Sequence, residues 1–269
     1  MRRRLPGLFA GAKAAGRAAF IPFLEVGDPD LDTTGRLCHA VAGAGADLIE
    51  LGVPFSDPIA DGPTIQRASE RALKAGGGLR ATLELVTRLR RQKLATPLLL
   101  FTYMNPILAM GEVEFAHRAS EAGADAVLVT DLPPEEGRPL ATLLKSARLD
   151  PVFLLAPTST DARLRRAAAL SRGFVYLVSR AGVTGARAAL PPELPELVAR
   201  VRRRVTRLPV AVGFGISTPE QVREAALLAD GVVVGSALVA TVEKACAEGR
   251  DPVPAAADLV RTLAAAAVR

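Results

Sequence analysis

A single closed barrel of eight β/α units is the fold that this sequence of 269 residues predicts. Eight short runs of β-branched or apolar residues recur along the chain, and amphipathic helix-like segments separate them. Such runs are typical of parallel strands buried on both faces. Eight units in about 250 residues match a (β/α)8, or TIM, barrel. A doubly wound sheet is the alternative, but no GxGxxG follows the first strand.

The elements follow from these runs. In chain order the predicted strands cover 19–24, 47–52, 97–102, 125–131, 151–156, 174–179, 208–213 and 230–235. Before them, the basic start of the chain predicts a surface helix, because Lys13 and Arg17 interrupt the apolar stretch that a signal peptide needs. After them, residues 236–269 predict a helix, a break at 249–254 and an alanine-rich helix that covers the barrel. No linker divides the chain, so we expect one domain over 1–269.

Composition excludes several classes of protein. Cys38 and Cys246 are the only cysteines, so we expect no disulfide framework and a reducing compartment. No stretch is long and apolar enough to span a bilayer, which favours a soluble, cytoplasmic protein. The net charge of +6 would suit nucleic acid, but the chain has no tryptophan and two tyrosines for base stacking. The arginines fall in helical runs and are interpreted as solvated helix faces.

Two carboxylates occupy places where a barrel carries its chemistry, at strand ends and in the loops beyond. Glu50 lies near the end of the second strand in the apolar run "LIELG". Burial would raise its pKa toward values useful in acid/base catalysis, and the alternative is a core carboxylate bonded to backbone. Asp61 follows in a proline-rich loop. It is either a second catalytic group or the N-cap of the next helix.

Glycines gather after the last three predicted strands, in "SRAGVTGAR", "GFGIS" and "GSAL". Glycine lets backbone N–H groups approach an anion, and the helix that follows adds the positive end of its dipole. These loops commonly bind phosphate in barrels. We therefore expect a small organic phosphate as substrate, with Gly185, Gly215, Gly235 and Ser236 as its binding residues.

Other chemistries have little material in this sequence. His39 and His117 lie in separate helical segments, so we expect neither a metal site nor a Ser-His-Asp triad. Lysine is absent from the ends of all eight predicted strands, which argues against a Schiff-base aldolase.

Several motifs, in order along the chain, resemble the α chain of tryptophan synthase. They are "GDPD" at 27–30, "LIELG" with "PFSDPIADGPTIQ" at 48–66, "YMNPI" at 103–107, "VTDLPPEE" at 129–136, "SRAGVTGA" at 179–186 and "GFGIS" at 213–217. The resemblance runs from about residue 8 to about residue 248, and the "PFSDPIADGPTIQ" block is highly specific.

The resemblance implies a retro-aldol cleavage of indole-3-glycerol phosphate to indole and glyceraldehyde 3-phosphate, with no cofactor in this chain. It implies that Glu50 is the principal acid/base and that Asp61 accepts the indole N–H and stabilises the cation. Five further residues match positions that contact the substrate in the family: Phe23, Leu128, Tyr176, Thr184 and Phe214. The threonine that Thr184 matches hydrogen-bonds the aspartate of the second loop when the sixth loop closes.

The resemblance also implies a partner, a β chain that contains pyridoxal phosphate and receives indole through a tunnel in an α2β2 complex. The loops after the second and third strands offer a docking edge formed by Asp57, Pro58, Asn105 and Pro106, together with the adaptable Met104 and Met110. The alternative for these loops is a lid that touches only its own chain.

Three other functions stay open at this point. One is another phosphate-binding barrel, an isomerase or epimerase of sugar phosphates. Another is a stand-alone indole-3-glycerol-phosphate lyase, and the third is a catalytically idle subunit that only activates its partner.

One residue departs from the family pattern. Glu25, in "PFLEVGDP", stands where the family usually has threonine. Pointing outward, it would be harmless; pointing into the barrel, it would perturb the ionisation of Glu50. The sequence leaves both orientations open.

Overall fold

The computed structural model describes residues 4–179, 190–213 and 215–269. Within them lie nine strands and twelve helices. The strands are β1 Ala19–Glu25, β2 Ile49–Gly52, β3 Leu98–Thr102, β4 Ala126–Val129, β5 Asp150–Val152, β6 Leu154–Leu155, β7 Val175–Val178, β8 Val210–Gly213 and β9 Gly231–Val234. The helices are α1 Leu5–Ala14, α2 Leu31–Gly43, α3 Pro63–Lys74, α4 Leu79–Arg91, α5 Met104–Met110, α6 Glu112–Ala122, α7 Arg138–Ser146, α8 Asp161–Leu170, α9 Leu194–Arg204, α10 Pro219–Leu228, α11 Ser236–Ala247 and α12 Pro252–Ala265.

The nine strands form one parallel sheet in the order β5-β4-β3-β2-β1-β9-β8-β7-β6. β5 and β6 are two halves of the fifth predicted strand, separated by Phe153, so the chain itself joins the sheet's two edges. At this point the Phe153 N–H donates to Ser171 Oγ at 3.3 Å, while its carbonyl accepts the Tyr176 N–H at 3.2 Å. The predicted (β/α)8 barrel is therefore confirmed, with its fifth strand split.

Side chains alternate along each strand between the barrel interior and the helical layer. In β1, Ala19, Ile21 and Phe23 join the interior cluster, whereas Phe20 and Leu24 pack against the outer helices. All seven residues of β1 are buried, as expected for a strand covered on both faces. Each such large apolar side chain stabilises the fold by about 1.5–3 kcal/mol.

Helix α1 lies at the amino end of the barrel. Leu5, Phe9 and Ala12 are buried in the interior cluster, and the Phe9 ring lies 5.3 Å from that of Phe174, just before β7. The predicted surface helix is thus half buried, because its apolar residues recur every three to four positions along one face. It closes the base of the barrel.

Three aspartates stand just before strands at this same end: Asp47 before β2, Asp125 before β4 and Asp230 before β9. Each accepts a backbone N–H from the adjacent strand, at 2.8 Å, 2.9 Å and 3.0 Å respectively. Each also pairs with arginine, and the pairs are Arg17–Asp47, Arg90–Asp125 and Arg202–Asp230. Two of these carboxylates join strands to helices, through Arg90 of α4 and Arg202 of α9, and Asp47 joins β1 to Arg17, which lies just before that strand.

The end of the chain forms the two predicted helices. α11 ends at Ala247, and α12 begins at Pro252 and packs on α2 and α11. Among the described residues, no helix combines the length and apolar character that crossing a membrane requires.

Candidate active site

Glu50 lies in β2 with its side chain toward the barrel interior. Its side chain is 1 % exposed, and its Cα pairs with that of Phe23. Its Oε1 has no hydrogen-bond partner. Among the described residues, it is the one buried side-chain nitrogen or oxygen atom of which this is true. Burial raises the pKa of Glu50 well above its usual range. A carboxyl group held in this way carries a proton that it can give to a bound molecule.

Asp61, in the loop between β2 and α3, is 7 % exposed. The Tyr103 hydroxyl donates to its Oδ2 at 2.7 Å. Burial raises the pKa of Asp61 to about 6, against the opposing effect of the Tyr103 hydrogen bond. The N-cap interpretation of Asp61 is wrong, because α3 has Gly62 at its N-cap and no side-chain cap. The side chain is free for a role in the site.

Tyr103 is a site residue that the sequence analysis missed. It follows β3 directly, accepts the Ala60 N–H at 3.1 Å and stacks on Phe55 at 5.2 Å between ring centroids. These contacts fix the loop that carries Asp61. The signal in the sequence is a tyrosine, one of two in the chain, at the end of a predicted strand.

Aromatic rings form the wall beside the two carboxylates. Phe23 and Phe101 meet edge to face at 5.4 Å and 83°. Tyr176 is buried, and its pKa is raised by burial and by the charges of Glu50 and Asp61. Gly213 permits the position of Tyr176, since a Cβ there would overlap the tyrosine hydroxyl.

These groups surround one cavity at the carboxyl end of the strands. It is lined by Phe23, Glu50, Asp61, Ile65, Phe101, Tyr176, Gly215, Ile216, Val233, Gly235, Ser236 and Ala237. Leu128 does not line it but belongs to the interior cluster that contains Phe23 and Tyr176. The cavity thus unites both predicted carboxylates with most of the predicted binding residues that the structure describes.

Gly215 and Gly235 are far from Glu50 and Asp61 in sequence, but they line the same cavity. Gly235 is the N-cap of α11, which begins at Ser236, so the first N–H groups of that helix face this end of the site. Gly215 has φ +85°, a conformation that favours glycine. Behind it, Thr218 and Gln221 form a capping box that fixes the loop after β8.

Three predicted site residues lie outside the described residues: Thr184, Gly185 and Phe214. They stay predictions.

Glu25 points into the barrel, which answers the question that the sequence left open. It continues the inward series of Ala19, Ile21 and Phe23, and it is 5 % exposed. A Cβ on Gly52 would overlap both its carboxylate and the Phe23 ring. Its charge interacts with that of Asp61 rather than with that of Glu50. The inward orientation is therefore correct, and the charge that adds to the effect of burial on the pKa of Glu25 is that of Asp61.

The predicted docking edge is at the surface. Asp57 and Asn105 are exposed, and Pro58 and Pro106 are partly exposed. Next to them two apolar side chains face solvent, Ile59 at 77 % and Leu108 at 56 %. Met104 and Met110 instead pack against the outer core, so the adaptable apolar surface expected from them is provided by other residues.

Among the described residues, no group of three or more His, Cys, Asp or Glu side chains is placed to hold a metal ion.

Comparison with known proteins identifies the family. The family model for the tryptophan synthase alpha chain matches residues 9–268. The tryptophan synthase alpha chain of Acidithiobacillus ferrooxidans is 51% identical over 263 residues, covering 98% of this chain and 96% of that one. The alpha chain of Citrifermentans bemidjiense is 54% identical over 241 residues, covering 90% of each.

Solved structures agree with this match. Mycobacterium tuberculosis tryptophan synthase superimposes with a TM-score of 0.90 at 39% identity, covering all of both chains. The alpha subunit from Legionella pneumophila gives 0.89 at 36% identity, covering 99% of this chain and 98% of that one. With the barrel, the paired carboxylates and the glycine-lined end of the cavity on one face, the chain belongs to the tryptophan synthase alpha chain family.

Proposed function

We propose that the cavity at the carboxyl end of the barrel is where this lyase cleaves indole-3-glycerol phosphate to indole and glyceraldehyde 3-phosphate. The reaction is the α reaction of tryptophan biosynthesis. The observation that carries the site assignment is Glu50, fully buried in a cavity wall with one carboxyl oxygen unpartnered. A buried polar atom without a partner costs stability, which a binding or catalytic role accounts for.

Glu50 serves as the acid and then the base. Its raised pKa keeps it protonated, so it can deliver a proton to C3 of the indole ring. The carboxylate left behind accepts the proton of the side-chain hydroxyl as that group becomes the aldehyde. The electron pair of the broken carbon–carbon bond returns to the ring, which leaves as indole. Both proton transfers use this chain's own groups, and the reaction needs no cofactor here.

Asp61 stabilises the positive charge that protonation places on the ring nitrogen. The Tyr103 hydroxyl favours the ionised form of Asp61, so this group is an anion near neutral pH while Glu50 keeps its proton. Two carboxyl groups with separated protonation behaviour provide an acid and an electrostatic partner in one cavity. The indole ring lies between the two carboxyl groups on one side and the Phe23 and Phe101 rings on the other.

The phosphate binds at the other end of the cavity, to Gly215, Gly235 and Ser236. The amino end of α11 supplies N–H donors and a positive dipole end, which suit a dianion. Gly185 also binds the phosphate, and Thr184 hydrogen-bonds Asp61 when the site closes. Phe214 contributes to the ring pocket, and Leu128 supports it from the interior cluster that contains Phe23 and Tyr176.

The test is a turnover assay of the purified chain with indole-3-glycerol phosphate, alone and with a tryptophan synthase β chain. We expect equimolar indole and glyceraldehyde 3-phosphate, with competition by inorganic phosphate. No indole under either condition would contradict the proposal and favour an idle activating subunit. The family and structural matches favour neither that alternative nor a stand-alone lyase.

The partner is a β chain with pyridoxal phosphate, in an α2β2 complex in the cytoplasm. Supporting this, Asp57 and the exposed Ile59 lie in the loop after β2, and Asn105 and the exposed Leu108 lie in α5, which follows β3. Sedimentation of the two chains together tests it. Full activity of the isolated chain with no complex at micromolar concentration would instead indicate a stand-alone lyase.

We also propose that residues 1–269 form one domain, because α1 and α12 both pack on the one barrel.

A further inference from the structure

Glu25 is a third carboxyl group inside the mouth of the barrel, and the reaction above gives it no role. It ends β1, its Cα pairs with that of Gly52, and its carboxylate lies against the Gly52 backbone beside the Phe23 ring. Phe23 lines the cavity and Glu25 does not, so Glu25 stands just behind the wall that the substrate contacts.

The groups that face Glu25 come from every element around it. Burial raises the pKa of Glu25, the charges of Asp61 in the loop after β2 and of Asp28 in the loop after β1 raise it further, and Ser69 of α3 acts in the opposite direction. Arg71 of α3 is the cation nearby, and it is bound by Asp28 through two contacts of 2.8 Å.

Arg71 also donates to Glu243 of α11 at 2.7 Å, so its charge is shared between two carboxylates other than Glu25. On β2, the remaining titratable neighbour is Glu50, two residues before Gly52 on the same inward face. Glu25 therefore meets more negative than positive charge, and it is buried. Such a group is stable as the neutral acid.

We propose that Glu25 is a positioning residue for Asp61, holding the single proton of a coupled carboxyl pair so that Asp61 meets the indole N–H as the anion. This inference rests on the proposed role of Asp61. The order of ionisation follows from the contacts: Tyr103 donates to Asp61 at 2.7 Å and stabilises its anion, while Glu25 lies deeper and has Asp61 as a like-charged neighbour.

The pair has a consequence for catalysis. When Glu25 loses its proton, a second buried negative charge acts on Asp61, and the repulsion displaces Asp61 from the position in which it accepts the ring N–H. Misplacing a catalytic group by about 1 Å costs as much as 10²-fold in rate. Ionisation of Glu25 therefore adds a loss of turnover on the alkaline side, separate from the loss caused by Glu50.

The direct test needs no substrate: titration of 13C-labelled carboxyl groups by NMR in the wild type, Glu25→Gln and Asp61→Asn. We expect Asp61 to titrate near the same pH in Glu25→Gln as in the wild type, because Glu25 is neutral in that range. In Asp61→Asn, we expect the pKa of Glu25 to fall by about one pH unit or more. An unchanged Glu25 titration in Asp61→Asn would overturn the coupling.

The kinetic test compares the pH profiles of turnover for the wild type, Glu25→Gln and Glu25→Thr. We expect both variants to keep the acid limb set by Asp61 and to lose one of two ionisations on the alkaline limb. A purely structural role would lower turnover at every pH without altering the profile, and that result would overturn the proposal. Absence of wild-type turnover would count against the proposed function alone, since the NMR coupling is measured independently of it.

Discussion

The carboxyl groups of Asp47, Asp125 and Asp230, at the amino end of this barrel, have surroundings that differ from those of Glu25 and Glu50 at its mouth. At the amino end, Asp47, Asp125 and Asp230 each have an arginine and a backbone N–H as partners. At the carboxyl end, Glu50 has an unpartnered oxygen and Glu25 has a like-charged neighbour. The same functional group thus pairs with arginine and a strand N–H at one end, whereas at the other end Glu50 keeps an oxygen without a partner.

The difference lies in what each environment does to the proton. Arginine and N–H partners favour the anion, and the pKa of Asp230 is lowered by the Val210 N–H and Arg202 despite partial burial. At the mouth, burial raises the pKa of Glu25, Glu50 and Asp61, and the opposing effects of Arg71 on Glu25 and of Tyr103 on Asp61 are smaller. The mouth groups therefore cost stability near neutral pH, and Asp230 contributes to it.

The largest expected effect is on activity at the mouth. Glu50→Gln keeps the shape of the side chain but removes the proton that the reaction transfers. We expect turnover to fall by a factor of ~10² to 10⁴, with the free energy of unfolding at neutral pH equal to or above that of the wild type. Steady-state kinetics and urea unfolding of the same preparation measure both quantities. Wild-type turnover in this variant would show that Glu50 is not the acid/base.

The matching change at the amino end reverses the outcome. Asp125→Asn leaves Arg90 partly buried without its anion, with side-chain exposures of 8% for Asp125 and 13% for Arg90 in the wild type. We expect a loss of about 3 kcal/mol in the free energy of unfolding, with turnover of the folded enzyme unchanged. Urea unfolding and kinetics below the transition measure this. A stable variant with impaired turnover would break the contrast between the two ends.

The dependence of stability on pH separates the two ends further. Because Glu25 and Glu50 have pKa values raised in the folded chain, their contribution is complete below the ordinary value of 4.5 and is lost as pH rises. Asp230, with a lowered pKa, contributes above 3.8 and loses that contribution as pH falls. Each group changes stability by at most about 1.4 kcal/mol per pH unit.

We therefore expect urea-unfolding free energies to decline from about pH 4.5 toward neutrality in the wild type and to decline less in the double variant Glu25→Gln, Glu50→Gln. Asp230→Asn serves as the control, since it should alter the acid side only. Parallel curves for the wild type and the double variant would mean that the mouth carboxyls are not protonated in the folded chain.

The smallest effect is expected where a carboxylate is paired but exposed. Asp258 and Arg261 pair on α12 with side-chain exposures of 73% and 64%. We expect Asp258→Asn to change the free energy of unfolding by less than about 0.5 kcal/mol, because water screens both charges. A change as large as that of Asp125→Asn would mean that burial is not what distinguishes the paired aspartates.

Much of this arrangement could be predicted from local pattern. The barrel followed from eight apolar runs, and Glu50 and Asp61 from carboxylates at a strand end and in the loop beyond. Two further signals were present but unused. Leu5, Phe9 and Ala12 are spaced as one helical face, and Glu25 is two residues from Phe23, so both side chains point inward.

Other features depend on contacts between distant segments. The hydrogen bond from Tyr103 to Asp61 joins two loops 42 residues apart, and no local pattern predicts it. At the split, the Phe153 N–H donates to Ser171 and the Phe153 carbonyl accepts from Tyr176, and both partners come from later parts of the chain. Such contacts are decided when the barrel closes, not within one β/α unit.

Helix α1 blocks the amino end of the barrel interior. Leu5 and Phe9 fill the amino end of the interior, so in the described part of the chain the substrate cavity communicates with solvent at the carboxyl end. If the reaction takes place in this cavity, the substrate and both products pass through the same opening at the carboxyl end. A partner that accepts indole and binds over Asp57 and Asn105 would cover this opening directly. Molecules would then pass through it one at a time.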